Sequence, residues 1–275
     1  TLDIRDGLRV YTIEGFSNAL TGIEVVDGCP GFNEFVGTGA DEMFDFTGVT
    51  VTRIERIDLE GGDDTFIGSA GADTVLGGKG NDFLDGAEGG DTYIAIGSDG
   101  DAGIDTIRDS GTSGIDTLNI RDGLRIYTLE DFSNALTGIE AIVGCPSFTE
   151  LNGTDAVNTF DFTGVSVSSI ERIDLGGGDD TVIGSAGADN IVGGRGDDFL
   201  DGGEGGDTYM MIGSDGDAGI DTIRDSGTSG IDTLDIRDGL RIYTLGDFSN
   251  ELTGIEAVVG CPSFTELNGT DAVNT

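Results

Sequence analysis

Short apolar clusters recur along this chain at a fixed interval, separated by turns rich in glycine and aspartate. From Leu59 to Ile94 the sequence reads LEGGDDTFI, GSAGADTVL, GGKGNDFLD and GAEGGDTYI, and from Leu175 to Met210 it reads LGGGDDTVI, GSAGADNIV, GGRGDDFLD and GGEGGDTYM. Phe66, Val75, Leu84 and Tyr93, with Val182, Ile191, Leu200 and Tyr209, hold one position of this nine-residue register. The glycine-dominated first part of each unit permits a tight turn with positive φ, and the last three residues make a short strand with one inward side chain. Two units then complete one turn of a coil, and residues 18 apart stack. The predicted fold is all-β, a parallel β-roll or β-solenoid around a narrow apolar stack.

A longer period encloses this one. TLDIRDGL at Thr1 returns as TLNIRDGL at Thr117 and as TLDIRDGL at Thr233. Residues 1–116 and 117–232 align without a gap and differ at 28 positions. The chain thus reads as repeat 1 (1–116, regular block 59–94), repeat 2 (117–232, regular block 175–210) and a partial repeat 3 (233–275), a window on a longer array.

Charge changes the picture. The 275 residues include 53 Asp plus Glu against 13 Lys plus Arg, a formal charge of −40, with 50 glycines and 3 prolines. Carboxylate repulsion on a glycine-rich backbone opposes compaction, so a cation has to neutralise it. Yet 36% of the residues are hydrophobic, unlike a solvated acidic tail. A phosphate backbone would be repelled, which argues against nucleic acid as a partner. No run of 18 apolar residues predicts a membrane-spanning helix, and the first residues lack the features of a signal peptide. There is no histidine, which removes the usual general base, and repeated carboxylates share one environment where an acid and a base need two; the chain is read as not an enzyme.

The aspartates keep the register of the apolar positions. Asp64 is expected to stack on Asp82 along one edge of the coil and Asp73 on Asp91 along the other, with Asp180, Asp198, Asp189 and Asp207 repeating this in the second block. Gly62, Gly71, Gly80, Gly89, Gly178, Gly187, Gly196 and Gly205 precede these aspartates by two residues and would present turn carbonyls. These eight units resemble the RTX, or hemolysin-type, calcium-binding family, whose pattern is Gly-Gly-x-Gly-x-Asp-x-U-x with U a large apolar residue. The resemblance implies a β-roll with several Ca²⁺ ions per 116-residue repeat, held by these aspartates and carbonyls. It also implies export by type I secretion from a Gram-negative bacterium and folding outside the cell. Calcium takes six to eight hard oxygen ligands, which paired carboxylates and turn carbonyls supply.

Outside the blocks the units degenerate. Asp105 and Asp116, with Asp221 and Asp232, stand two before an apolar residue but out of phase, and are read either as further ligands or as turn caps. Asp41 in VGTGADEMF falls on the ligand position of an imperfect unit; Val157 replaces it in repeat 2, which favours a structural role. VTRIERIDL and VSSIERIDL read as metal-free strands through Ile54 and Ile57, or Ile170 and Ile173. In LRIYTLEDFSNALTGIEAIVG, Thr128 is a candidate N-cap of a short helix with Glu130 and Asp131 in its first turn; irregular solenoid turns are the alternative. Asp99 and Asp101 lack the glycine and the glutamate of an EF-hand loop. Cys29, Cys145 and Cys261 recur once per repeat and, at 18 residues per coil, stand too far apart to pair; burial or an interchain disulfide are the readings.

Near-identical long repeats supply identical lateral surfaces. The expected function is a calcium-stabilised structural segment of an extracellular filament, sheath or surface layer, with copies of itself as partner. The alternatives are the stalk of a repeat-rich adhesin and the calcium-binding region of a secreted toxin or hydrolase.

Overall fold

The computed structural model describes residues 1–3, 10–17, 21–95, 103–120, 126–146, 148–211, 219–236, 242–245, 254–260 and 266–269. Cys261, Asp99 and Asp101 lie outside them. The chain forms two compact units, Thr1–Leu124 with Ala135–Ser147, and Arg125–Asn134 with Phe148–Thr275.

Both units are coils of very short parallel strands. In the first unit one face is built in the order Val10–Thr12, Glu34–Val36, Arg56–Asp58, Thr74–Leu76, Thr92–Ala95, Thr117–Ile120 and Ala141–Val143. The opposite face runs through Phe16–Ser17, Met43–Asp45, Thr65–Ile67, Phe83–Asp85 and Thr106–Ile107. In the second unit the faces run from Ile126–Thr128 to Ala257–Gly260 and from Phe132–Ser133 to Thr222–Ile223. Successive strands within a block alternate between faces, so two nonapeptides make one coil. Val75 pairs with Tyr93, and Leu84 with Phe66. The architecture is a parallel β-solenoid of the β-roll type.

Three-residue strands turn only their central side chain inward. Phe66, Val75, Leu84, Tyr93, Val182, Ile191, Leu200 and Tyr209 are accordingly buried, as the nine-residue register predicts. The core is thicker than one residue per strand where the coils lengthen. Phe46 lies 4.8 Å from Phe16, 6.3 Å from Phe35 and 6.1 Å from Phe66, centroid to centroid, and Phe162 lies 5.1 Å from Phe132 and 6.2 Å from Phe160. These aromatic groups fill the interior on the N-terminal side of each regular block.

Away from the blocks the structure departs from the uniform 18-residue coil. An amide and the side-chain carboxylate that accepts it one coil later are 18 residues apart inside a block and 22 to 25 apart outside it. The segment before each block is two strands, Thr50–Thr52 and Arg56–Asp58, or Ser166–Ser168 and Arg172–Asp174. Arg53 and Ser169 between them turn the chain at φ 58° and 57°. Ile57 and Ile173 are buried, but Ile54 and Ile170 are only half-buried at this turn. Thr128 caps no helix: it ends the strand Ile126–Thr128, and the helix is the single turn Asn134–Thr137. Parallel pairing of the flanking strands outweighs the local helix signal, and the segment continues the solenoid through wider turns. Cys29 and Cys145 are half-buried thiols in no disulfide, Cys29 donating to Asn33 Oδ1 at 3.0 Å.

Candidate metal centre

Stacking the coils turns the sequence register into two rows of carboxylates. On one edge of the first unit, Oδ1 of Asp64 accepts the Glu42 amide at 2.7 Å, Oδ1 of Asp82 accepts the Asp64 amide at 2.8 Å, and Oδ1 of Asp105 accepts the Asp82 amide at 3.2 Å. On the other edge, Asp91 accepts from Asp73 at 2.7 Å, Asp116 from Asp91 at 2.7 Å, and Glu140 from Asp116 at 2.8 Å. The second unit repeats both rows. Asn158, Asp180 and Asp198 donate in turn to Asp180, Asp198 and Asp221, and Asp189, Asp207 and Asp232 donate to Asp207, Asp232 and Glu256.

Each of these links engages one carboxylate oxygen with the fold. The other oxygen is what a ligand requires. Oδ2 of Asp64, Asp82, Asp91, Asp180, Asp198 and Asp207 is buried and has no hydrogen-bond partner. An unsatisfied buried carboxylate oxygen carries a desolvation penalty that a cation would relieve. Glycine keeps the space beside it open: a Cβ on Gly86 would stand 2.3 Å from Asp91 Oδ2, and one on Gly77 2.4 Å from Asp82 Oδ2. Hard oxygen donors, a negative environment and room at the turn fit Ca²⁺. Asp73 and Asp189 differ, since their Oδ2 already accepts the Ser69 or Ser185 amide at 2.7 Å.

The turns are as tight as the glycines suggest. Gly80 has φ +117°, and a Cβ there would meet the Gly62 carbonyl oxygen at 2.0 Å. Gly62, Gly89, Gly178, Gly196 and Gly205 also have positive φ, whereas Gly71 and Gly187 do not. Their units carry Ser69 and Ser185, whose hydroxyls accept the Gly71 and Gly187 amides at 3.2 and 3.1 Å and hold the turn differently.

Burial without a countercharge makes these groups weak acids. Asp91 is raised to about 8, first by burial and then by the charges of Asp73, Asp109 and Asp116. Burial likewise lifts Asp64, Asp105, Asp207 and Asp221 to about 7 and Asp82, Asp116 and Asp180 to about 6. Asp73, Asp189, Asp198 and Asp232 are raised for the same leading reason. Protons and a divalent cation compete for one set of oxygens.

Asp105, Asp116, Asp221 and Asp232 extend the rows beyond the regular blocks despite their broken phase in sequence. Asp41 does not lie on them. The buried apolar residue of its strand is Phe44, and Met43 is exposed, so the register moves by one and pairs Met43 with Thr65. This places Glu42 opposite Asp64, while exposed Asp41 joins an outer row and accepts the Asp63 amide at 3.0 Å. In repeat 2 Asn158 takes the place of Glu42. Glu140 and Glu256 were legible in principle: Gly-Ile-Glu-Ala-Ile at 138–142 repeats the spacing of Gly-Ile-Asp-Thr-Leu at 114–118 with glutamate for aspartate. Asp109 and Asp225 belong to no unit, and only the structure brings them to the rows.

A family model described as the RTX calcium-binding nonapeptide repeat (4 copies) matches residues 60–93 and 174–209. The matched segments contain all eight nonapeptide aspartates named above. No curated protein and no solved structure matches the chain significantly.

Proposed function

Because this chain carries RTX calcium-binding nonapeptide repeats, which typically belong to secreted proteins, we propose that it is a calcium-stabilised structural segment of an extracellular filament, sheath or surface layer. The observation that carries this reading is the recurrence of the same pair of carboxylate rows, with the same spare oxygens, in both complete repeats. An array of identical coils offers identical lateral surfaces, and copies of the chain are the partner we assign to them. The role is mechanical rather than catalytic. Among the described residues no helix is long and apolar enough to cross a membrane.

Calcium would be held by the unpartnered oxygens of the rows and would supply the charge neutralisation that the −40 chain otherwise lacks. Binding confined to the coiled state stabilises it by RT ln(1 + [L]/Kd) per site, and the contributions of several sites add. Folding would then await the calcium-rich exterior. Circular dichroism of the chain in chelator should show little β-structure and gain it cooperatively on adding Ca²⁺; equal spectra under both conditions would sink the mechanism. Electron microscopy tests the assembly: fibres or sheets of the calcium-loaded array support it, and a monodisperse monomer at high concentration overturns it.

A further inference from the structure

We propose that each repeat carries a calcium site of a second kind, in which Asp109, or Asp225 in repeat 2, joins two aspartates of the row to make a three-carboxylate centre. Asp109 lies outside the segments matched by the nonapeptide model. Leu84 pairs with Ile107, so two residues further on Asp109 follows where Gly86 follows one coil earlier. A carboxylate thus enters the turn at a position that glycine holds in the preceding coil.

One oxygen from each of Asp91, Asp109 and Asp116 lies within 4.8 Å of the other two, and Asp207, Asp225 and Asp232 repeat the arrangement. All six residues are buried. Asp91 is 1% exposed and Asp207 is fully buried, and Oδ2 of each has no hydrogen-bond partner. A third carboxylate brought beside an already unsatisfied one worsens repulsion unless a cation belongs there.

The extra carboxylate is held in place by specific bonds. Tyr93 Oη donates to Asp109 Oδ2 at 2.6 Å and accepts the Gly86 amide at 2.5 Å. Asp109 Oδ1 accepts the Gly111 amide at 2.8 Å, and the Asp109 amide donates to the Thr137 carbonyl at 2.6 Å. Tyr209, Gly202, Gly227 and Asp225 reproduce the side-chain set, with Tyr209 Oη to Asp225 Oδ2 also 2.6 Å. The ligand class is a divalent cation taking several hard oxygens, and Ca²⁺ accepts three carboxylates with turn carbonyls where Mg²⁺ keeps most of its waters. Three carboxylates exceed the two of a nonapeptide gap, so this centre binds more tightly than its neighbours and closes the regular block on its C-terminal side.

This inference rests on the reading of the chain as calcium-binding, and the experiment separates the two. The chain has no tryptophan, so tyrosine is the aromatic donor with which to sensitise bound Tb³⁺, a calcium surrogate. The D109N/D225N chain should bind one Ca²⁺ fewer in each complete repeat by equilibrium dialysis, losing the tightest class, while its calcium-saturated circular dichroism is retained. The Y93F/Y209F chain should keep more of the bound ions than D109N/D225N and lose most of its sensitised Tb³⁺ emission. Unchanged stoichiometry and affinity in D109N/D225N overturn the proposal alone; a wild-type chain that binds no Ca²⁺ overturns both readings. Should D109N/D225N fail to fold, the tyrosine variant decides: emission equal to wild type overturns the site.

Discussion

The backbone amide of Asp73 donates to Oδ1 of Asp91 at 2.7 Å, across 18 residues of chain. One carboxylate oxygen therefore ties two coils together while the other, Asp91 Oδ2, is left buried and unbonded. The same side chain serves the fold and the ion. Asp91→Asn retains an acceptor for the amide and removes the charge, so the calcium midpoint of folding should rise about tenfold, or about 1.4 kcal/mol, with an unchanged spectrum at saturation. Asp91→Ala also strands the buried Asp73 amide, which costs a further ~1–3 kcal/mol. Calcium titrations followed by circular dichroism, with urea melts at saturation, distinguish the two variants.

Acid should partly substitute for calcium. Asp91, Asp64 and Asp82 have folded-state values raised to about 8, about 7 and about 6, above the ordinary carboxylate value of 3.8 they would have unfolded, and burial raises the other aspartates of the rows in the same direction. The folded chain therefore holds more protons than the unfolded one between these limits, and its stability without calcium rises as the pH falls. In chelator, β-structure should increase from pH 8 to pH 4.5, and the apparent calcium affinity should fall over the upper part of the same range. A calcium-free chain equally unfolded at both pH values would contradict this.

Two glycines that look alike in sequence should respond oppositely to alanine. Gly80 combines φ +117° with the Gly62 carbonyl 2.0 Å from any Cβ, so Gly80→Ala has to move backbone and should lose more than about 2 kcal/mol. Gly71 has no positive φ, and the nearest atom to a Cβ there is Ser69 Oγ at 3.9 Å. Gly71→Ala should be neutral or stabilise by up to about 1 kcal/mol through the unfolded state. Melting temperatures in saturating calcium provide the comparison.

The one-residue shift of register before the first block predicts which acidic side chain matters there. Glu42 accepts the Thr38 amide at 2.8 Å, as Asn158 accepts the Thr154 amide at 2.7 Å in repeat 2. Glu42→Asn should be tolerated, whereas Glu42→Leu, which removes the acceptor, should cost about 1–3 kcal/mol. Asp41→Val, the change that repeat 2 already carries, should stay within about 0.5 kcal/mol. An Asp41→Val chain as destabilised as Glu42→Leu would show the register to be wrong.

By itself the sequence determined what a strict period can encode. Nine-residue phase specifies which side chains share a face and which stand one coil apart, so the inward series through Phe66, Val75, Leu84 and Tyr93 and the stacked pairs Asp64 with Asp82 and Asp73 with Asp91 were legible before any coordinate. Tertiary structure decided the rest, because parallel strands pair by backbone hydrogen bonds and do not register the length of the turn that joins them. A coil of 23 or 25 residues delivers Asp105 or Asp116 to the same row as a coil of 18, although the phase in sequence is lost. The burial of Phe44 in place of Met43 moved Glu42 onto the row and Asp41 off it. Asp109 belongs to no periodic unit; it reaches Asp91 and Asp116 because the Tyr93 hydroxyl spans a coil to hold it, a side-chain contact that spacing along the chain does not express.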